Sequence, residues 1–248
     1  MKVSIITVTY NAESYLAQCI QSVYEQSYQD IEYLIVDGGS KDGTLSIIQS
    51  NESKITKWIS GKDKGMYDAL NKGMQMATGD IIGILNSDDM LFDKEIISKI
   101  VATFEHEKTD AVYGDLVYVN AEDTNLIIRD WKGLSYKRSR FRWGWMPAHP
   151  TFYVKRNLVE KYDGYLLEFG SAADYEWMSR LLYLHQLIAF YLPEKIVRMR
   201  IGGQSNVSWK ARWKANRNDF RSMKKNGIPL PWLASLLKPL RKITQFFS

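Results

Sequence analysis

The sequence predicts an α/β fold, in which a mostly parallel central sheet is flanked by helices and followed by a basic helical tail. Short apolar runs of strand length alternate with longer segments of helical periodicity over the first 120 residues. This alternation is typical of parallel sheets, because parallel neighbours need a crossover that is usually a helix. With 248 residues, 45% of them hydrophobic, the chain can bury a substantial core.

Four strands are predicted in the first half. The first, VSIITVT, is a β-branched run of the kind found in strands buried on both faces. The others are equally short apolar runs that end at turn-forming residues. The four strands cover residues 3–9, 32–36, 55–59 and 81–85, and a further extended segment covers residues 111–120.

Helices are predicted between these strands. In the first of them, Leu16, Cys19, Ile20 and Val23 recur at three- and four-residue intervals, which places them on one helical face. The predicted helices cover residues 13–26, 42–49, 65–77 and 92–104.

Beyond residue 120 the alternation is less regular. Residues 131–145 are aromatic and basic and are expected to form a loop or short extended pieces. A helix is predicted over residues 172–185, two extended segments over 187–192 and 195–201, and a basic helix over 206–225. Pro229 and Pro231 then break the helix, and residues 232–247 form a second amphipathic segment.

The positive charge of the chain is concentrated in this tail. Residues 208–248 contain ten Lys or Arg and one acid, a net charge of +9 that leaves −4 for residues 1–207. Basic residues alternating with Trp, Leu and Phe are typical of a helix lying on anionic lipid. The alternative is a pair of helices packed on the domain with a basic outer face.

The compartment is predicted from cysteine usage and hydropathy. Cys19 is the single cysteine, which fits a reducing compartment. We find neither a signal peptide nor an apolar run long enough to span a membrane. We therefore expect a cytoplasmic protein, peripheral on the inner face of the membrane.

Polar residues follow three of the predicted strands at the point where each strand ends. They are Tyr10 and Asn11, then Asp37 to Gly39, then Asn86 to Asp89. Ligands of open α/β sheets bind at the carboxyl ends of the strands. Adjacent carboxylates there suit Mg²⁺ or Mn²⁺ carrying a diphosphate. The alternatives are a helix cap or Asx turn at Asp88 or Asp89, and a plain strand–helix turn at Asp37.

Three stretches in order resemble the family 2 glycosyltransferases, nucleotide-sugar-dependent enzymes of the GT-A fold. They are SIITVTYNAESYLAQCIQSVYEQSY, EYLIVDGGSKDGT and DKGMYDALNKGMQMATGDIIGILNSDD. The DKGMYDALNKG segment is most similar to bacterial exopolysaccharide and colanic-acid-type members. The resemblance is strong over residues 1–90 and weaker to about residue 205.

The resemblance implies a nucleotide-sugar site at the strand ends. Asn86-Ser87-Asp88 matches the family's metal-binding acidic triplet, with an amide in place of the first acid, and leaves Asp88 as the metal ligand. Asp37 matches an acid that contacts the base, often uracil. The full set of implied donor residues is Thr9, Tyr10, Glu13, Asp37, Gly39, Ser40, Asp63, Asn86, Ser87 and Asp88.

The second half is expected to supply the acceptor side. Asp174 matches the family's catalytic base, and apolar neighbours would raise the pKa of such a carboxyl. The alternative for Asp174 is an acid in the first turn of a helix, stabilised by the helix dipole. Weaker expectations on the acceptor or phosphate side concern His149, which is alternatively a structural histidine, and Glu176, Arg198 and Arg200.

The resemblance therefore implies an inverting hexosyl- or N-acetylhexosaminyltransferase that uses a UDP-sugar and a glycan or lipid-linked acceptor. Residues 1–115 would bind the donor, residues 116–205 the acceptor, and residues 206–248 would form the tail. The alternative class is a basic, aromatic module that binds nucleic acid or membrane without transferase activity. A nucleotidyltransferase is disfavoured, because no glycine-rich phosphate loop precedes Gly38.

Overall fold

The structure is a computed structural model that describes residues 1–202 and 209–232, without the side chains of residues 209–214. In these ranges strands and helices alternate through the first half, whereas the second half is less regular and has short 3-10 helices between its strands. The strands are β1 (Val3–Thr9), β2 (Ile31–Asp37), β3 (Lys57–Ser60), β4 (Ile81–Ile84), β5 (Met90–Leu91), β6 (Ala111–Val119), β7 (Ile127–Trp131), β8 (Tyr153–Lys155) and β9 (Ala189–Arg200). The helices are α1 (Leu16–Tyr24), α2 (Thr44–Ser50), α3 (Met66–Met76), α4 (Ile96–His106), α5 (Arg156–Tyr162), α6 (Ala173–Ser179) and α7 (Trp209–Lys225).

The strands form one sheet in the order β3-β2-β1-β4-β8-β6-β9-β5, and β7 pairs with β6. The first four strands run parallel to one another, with Thr9 opposite Asp37 and Asp37 opposite Ser60. In the second half β8 is antiparallel to both of its neighbours, whereas β6 and β9 are parallel. The predicted α/β class is confirmed, and the carboxyl ends of β1 to β4 lie along one edge.

Both faces of the sheet are buried, which explains the β-branched run of β1. Ile5 packs on one face in a cluster with Leu16 of α1 and Ile100 of α4. Its neighbour Ile6 packs on the opposite face with Leu70 of α3. Successive strand residues point to opposite faces and helices cover both, so all seven residues of β1 are buried, its serine and threonines included.

Helix α3 lies unusually close to β1. A Cβ atom on Gly73 would come within 2.4 Å of Cγ2 of Ile6. A side chain at position 73 would therefore push the helix away from the sheet. This contact fixes the start of α3 relative to the strand ends.

Several predicted boundaries shift in the structure. The third strand is Lys57–Ser60 instead of 55–59, and the fourth helix begins at Ile96, because residues 90–91 form a short strand paired with β9. The two extended segments predicted at 187–201 are one strand, Ala189–Arg200. The helix predicted over 172–185 is α6 followed by a π-helical turn, Arg180–Leu184. Strands β7 and β8 and helix α5 are additional elements.

The described part of the basic tail packs against the domain. Asn218, Ser222 and Met223 of α7 are buried, and the amide of Asn218 donates to the carbonyl of Phe169 at 2.9 Å. Helix α7 therefore packs on residues 1–202, as the alternative of helices packed on the domain expects, and the domain division at residue 206 stays a prediction. Residues 203–208 and 233–248, and with them most of the second amphipathic segment, lie outside the described residues.

No helix in the described ranges is both long and apolar enough to cross a membrane.

Candidate active site

Asp37 ends β2 and organises the loop that follows it. The carboxylate is wholly buried, and its Oδ2 accepts hydrogen bonds from the backbone N–H groups of Gly39 and Ser40, both at 3.0 Å. The Ser40 hydroxyl donates to Oδ1 at 2.5 Å and the Ser60 hydroxyl donates to Oδ2 at 2.6 Å. Both carboxylate oxygens of Asp37 are thus engaged in shaping the rim.

An open carboxylate and an exposed ring meet above Gly38. A Cβ atom at position 38 would lie 2.6 Å from Oδ2 of Asp63 and 3.5 Å from the ring of Tyr10. Tyr10 is 53% exposed. Because Gly38 has no side chain, the carboxylate of Asp63 lies directly against its Cα, beside the ring of Tyr10. The structure therefore brings Tyr10, Gly38 and Asp63 together.

Glu13 and Ser40 join the first two rim loops. Oε2 of Glu13 accepts a hydrogen bond from the N–H of Gly43 at 2.6 Å, immediately before α2. The hydroxyl of Ser40 accepts the N–H of Asn11 at 2.8 Å. Thr9 lies beneath them, and its buried hydroxyl has no hydrogen-bond partner in the structure. Glu13, Ser40 and Thr9 therefore lie at the rim, and Glu13 and Ser40 hold its loops.

The turn after β4 contains a wholly buried acid. The amide of Asn86 donates to Oδ2 of Asp89 at 2.7 Å, and the N–H of Asp89 donates to the carbonyl of Asn86 at 3.0 Å. Burial, reinforced by the charge of Asp88, raises the pKa of Asp89 well above its usual range. Asp89 thus stabilises the turn. This agrees with the alternative of an Asx turn that was expected for one of the two acids.

Ser87 and Asp88, by contrast, are half-buried at the surface of this turn. The carbonyl of Asp88 accepts a hydrogen bond from Nη1 of Arg200 at 2.5 Å. Arg200 is itself buried, bonds Gln18, and lies 4.5 Å from the ring centre of Tyr15. Arg200 therefore holds the turn by binding the backbone carbonyl of Asp88. The Arg200 side chain is buried and is not placed as an exposed phosphate ligand.

Asp88 fits a divalent metal that is held jointly with a substrate. Within residues 1–202 and 215–232, no three His, Cys, Asp or Glu side chains cluster as metal ligands. Mg²⁺ in nucleotide sites commonly takes one or two carboxylates together with substrate phosphates. A single surface carboxylate at the strand ends suits that shared mode, and does not suit a cage built by protein alone.

Asp174 lies in the first turn of α6 and contacts Tyr67 of α3. Its Oδ1 accepts the N–H of Tyr175 at 2.7 Å, and its side chain lies beside the phenol of Tyr67. Burial, reinforced by the charge of Asp174, raises the pKa of Tyr67 well above its usual range. Tyr67 therefore remains protonated next to the carboxylate, to which its hydroxyl can donate.

His149 supports this cluster from below. Its Nε2 and the hydroxyl of Tyr165 are 2.6 Å apart, and the ring of Tyr165 packs on Tyr67 with centroids 5.1 Å apart. Burial lowers the pKa of His149, against the opposing effect of the Asp174 charge. The neutral form of His149 is thus favoured, and the buried ring packs with Tyr165 and Tyr67 next to Asp174.

Two weaker candidates lie elsewhere. Glu176 is fully buried and receives Nε and Nη2 of Arg180 at 3.0 and 3.1 Å, so it faces the core and not an acceptor. Arg198 lies with its guanidinium 4.6 Å from the ring centre of Phe92 and bonds Asn125 at 3.3 Å. Neither residue joins the contacts around Asp174 or Asp63.

The sequence reasoning missed Tyr67 and the bracing role of Arg200. Tyr67 stands in the DKGMYDALNKG segment, four residues after Asp63, so its motif was recognised although its chemistry was not. Arg200 was expected to meet phosphate, and its contact with the Asp88 carbonyl joins residues 112 positions apart. No local pattern records such a contact.

Comparison with known proteins places these observations in context. Residues 4–163 match the profile of Glycosyl transferase family 2. A PGL/p-HBAD biosynthesis glycosyltransferase of Mycobacterium bovis strain BCG is 30% identical over 209 residues, covering 82% of this chain and 79% of the relative. A chondroitin synthase of Escherichia coli is 30% identical over 185 residues, covering 72% of this chain and 26% of that protein.

Solved structures share the fold. S. aureus TarS 1–349 in complex with UDP-GlcNAc has a TM-score of 0.71 at 20% identity, over 91% of this chain and 66% of that one. Mannosyltransferase PcManGT from Pyrobaculum calidifontis, in complex with GDP-Man and Mn²⁺, has a TM-score of 0.66 at 19% identity, over 95% of this chain and 69% of that one. The present chain therefore spans about two thirds of these proteins.

Proposed function

As the chain belongs to glycosyl transferase family 2, it is a glycosyltransferase, and we propose that it transfers a hexosyl or N-acetylhexosaminyl group with inversion. The donor is a nucleotide-diphosphate sugar, with a UDP-sugar favoured. The alternative of a binding module without transferase activity is set aside, because the family and the relatives are enzymes.

The proposed donor site is the strand-end rim. The base would lie beside the ring of Tyr10 and the carboxylate of Asp63, which come together because Gly38 has no side chain. UDP and its sugars fit this arrangement because uracil has one N–H donor beside its carbonyls. TarS was solved with UDP-GlcNAc and PcManGT with GDP-Man, so guanine donors belong in the same test.

Asp88 would hold Mn²⁺ or Mg²⁺ together with the donor diphosphate. When bound, such an ion neutralises charge on the departing diphosphate. Arg200 and the Asn86–Asp89 bond keep the Asp88 backbone in place.

Asp174 is the proposed general base. It would take the proton of an acceptor hydroxyl while that oxygen bonds to the anomeric carbon and the bond to the diphosphate breaks. Such one-step displacement inverts the anomeric centre. The single observation that supports the assignment is the closeness of Asp174 to Tyr67, because Tyr67 is only four residues from the rim acid Asp63.

The proposed acceptor is a glycan or lipid-linked saccharide used in bacterial surface polysaccharide synthesis. The enzyme would act in the cytoplasm, at the inner face of the membrane, and the basic residues of 208–248 would contact anionic lipid. The charge of this segment supports that placement. Co-sedimentation with anionic liposomes, with and without residues 233–248, tests the part of the tail that follows the packed helix; equal binding rejects it.

The test of the transfer function begins with the donor. A thermal-shift screen of UDP, GDP and their sugars with Mn²⁺ identifies the nucleotide, and release of nucleoside diphosphate in the presence of acceptor measures transfer. Asp174→Asn should keep the thermal shift and lower transfer by about 10²–10⁴-fold, the usual contribution of a general base. Asp123→Asn, an exposed acid of the β6–β7 turn, is the matched control. Near-normal transfer by Asp174→Asn would show that Asp174 is not the base.

A further inference from the structure

Residues 131–156 carry an unusual excess of positive charge. The segment contains seven Lys or Arg and no acid: Lys132, Lys137, Arg138, Arg140, Arg142, Lys155 and Arg156. Its centre is a short 3-10 helix, Arg138–Trp143, which ends at Gly144 in a left-handed conformation. This stretch lies on the domain itself, apart from the C-terminal tail.

Four of these cations have no acidic partner in the described residues. Lys132 pairs with Asp115 at 3.2 Å and Lys155 pairs with Asp110 at 3.8 Å, whereas Lys137, Arg138, Arg140 and Arg142 form no salt bridge there. The ranges that the structure does not describe contain no Asp or Glu. Because no acid in the described ranges pairs with these four cations, they give the surface a positive field that attracts an anionic partner.

Apolar side chains stand exposed among these charges. Trp143 is 53% exposed and Leu134 is 42% exposed. Nη1 of Arg140 donates to the carbonyl of Ser135 at 2.5 Å, so the residues next to Leu134 lie against the 3-10 helix. Arginines beside a half-exposed tryptophan and leucine are the composition of a surface that enters a lipid interface.

Leu134 is held in this position at a conformational cost. Its φ is +63°, a left-handed backbone that leucine rarely adopts, and its carbonyl is fixed by the hydroxyl of the buried Tyr113 at 2.7 Å. Glycine or asparagine would relieve the strain at this turn. In the protein alone, the exposed Leu134 side chain offers no burial that would offset this strain. Burial becomes available when the turn inserts into an apolar phase.

We propose that residues 134–143 form an anionic-membrane docking surface, in which Lys137, Arg138, Arg140 and Arg142 face lipid phosphates and Leu134 and Trp143 enter the interface. A nucleic acid would also meet the charge, but it offers no environment that buries Leu134. The surface is independent of residues 208–248 and of the donor chemistry.

The test uses the full chain and vesicles of phosphatidylcholine with or without phosphatidylglycerol. Wild type should bind the anionic vesicles and lose that binding as salt is raised. Lys137→Gln/Arg142→Gln should weaken the partition by about five-fold for each charge removed. Lys57→Gln/Lys108→Gln removes two exposed charges outside the surface and should change it little.

Leu134→Gly separates membrane contact from folding. Glycine accepts the left-handed backbone, so the unfolding midpoint should stay the same or rise while partition into anionic vesicles falls. Trp143→Ala should lower the partition in the same way. The proposal is overturned if both variants and Lys137→Gln/Arg142→Gln bind vesicles like wild type. It is also overturned if neutral vesicles bind equally well, or if the surface binds an oligonucleotide but no vesicle.

Transferase activity on a water-soluble acceptor should persist in all these variants, so loss of transfer would concern the proposed function instead.

Discussion

The side-chain amide of Asn86 donates a hydrogen bond of 2.7 Å to the carboxylate of Asp89, which is wholly buried beneath the turn after β4. This contact explains why an amide stands where an acid opens the family triplet. A carboxylate at position 86 would face a second carboxylate in a site shielded from water. The replacement of the family's first acid by Asn86 thus goes together with the buried acid at position 89.

We predict that Asn86→Asp destabilises the fold. Two carboxyl groups in contact, one of them wholly buried, do not both ionise, so the hydrogen bond is lost or a proton must be taken up, at a cost of about 1–3 kcal/mol in unfolding free energy. Urea unfolding at neutral pH measures the change. Exchanging the pair, Asn86→Asp/Asp89→Asn, should recover most of the loss. A single variant as stable as wild type would contradict the pairing.

Tyr67 is predicted to position Asp174. Tyr67→Phe removes the phenol that binds the carboxylate but keeps the ring that packs on Tyr165. We expect kcat to fall by about 10-fold, because Tyr67 acts on the reaction only through Asp174, and we expect the donor KM to stay unchanged. Steady-state kinetics with varied donor checks this, and Tyr162→Phe is the control. An unchanged kcat, or a rise in donor KM alone, would contradict a positioning role.

The buried pair of Glu176 and Arg180 is predicted to matter for stability. Glu176→Ala leaves the Arg180 guanidinium uncompensated in the core and should lower the unfolding free energy by about 3–5 kcal/mol. Glu168→Ala is the matched control, because Glu168 pairs with Lys225 at the surface and should change stability by about 1 kcal/mol or less. Chemical denaturation measures both. Equal effects would mean that Glu176 is not a buried structural acid.

Glu32 is predicted to control acid stability. Burial alone would raise its pKa, but hydrogen bonds from Ser4, Thr78 and Lys2 overcome burial and lower the pKa from 4.5 to about 2. Because the folded pKa lies below the unfolded value, the stabilisation is present above pH 4.5 and is lost as pH falls toward 2. The full contribution is about 3 kcal/mol.

Denaturant unfolding between pH 5 and pH 2 checks this sign. Wild type should lose this stability over that window, whereas Glu32→Gln should lack that part of the decline and converge with wild type near pH 2. Asp30→Asn, at an exposed loop position, should retain the wild-type decline. A Glu32→Gln curve parallel to wild type would contradict the prediction.

The first half of the fold was predictable because its elements are long and periodic. The β-branched run of β1 and the helical spacing of α1 each satisfy one pattern only. In the second half β8 has only three residues, too few for an alternating pattern to show. Two separate segments were expected at 187–192 and 195–201, yet β9 continues through Pro193 between them, where the register with β6 shifts.

The tail shows a limit of a different kind. An amphipathic pattern records that one face is buried, but not by what. In α7 two buried residues, Asn218 and Ser222, are polar and lie beside the buried Met223, so apolar periodicity alone does not mark the face that packs on the domain. The unpaired charges of residues 137–142 likewise depend on which acids lie nearby in space.

Site residues could be predicted where they belong to a recognisable motif. They could not be predicted where a role depends on which side of a helix the residue occupies. Asp63, Asp88 and Asp174 were placed by their motifs, and their roles remain predictions. Glu176 lies two positions after Asp174 on the same helix, which turns it by about 200° to the opposite face. The helical period alone therefore accounts for its burial in the core.

The closeness of Gly73 to Ile6 has a consequence for how this enzyme could change. With α3 pressed against β1, Tyr67 and the chain leading to it from Asp63 are held at a set position on the sheet. Under the proposed function, substitutions between α5 and α6 would change what approaches Asp174 without moving this connection. A longer β3–α3 connection would instead displace Asp63 relative to Tyr67, and with it the proposed donor site relative to the proposed base.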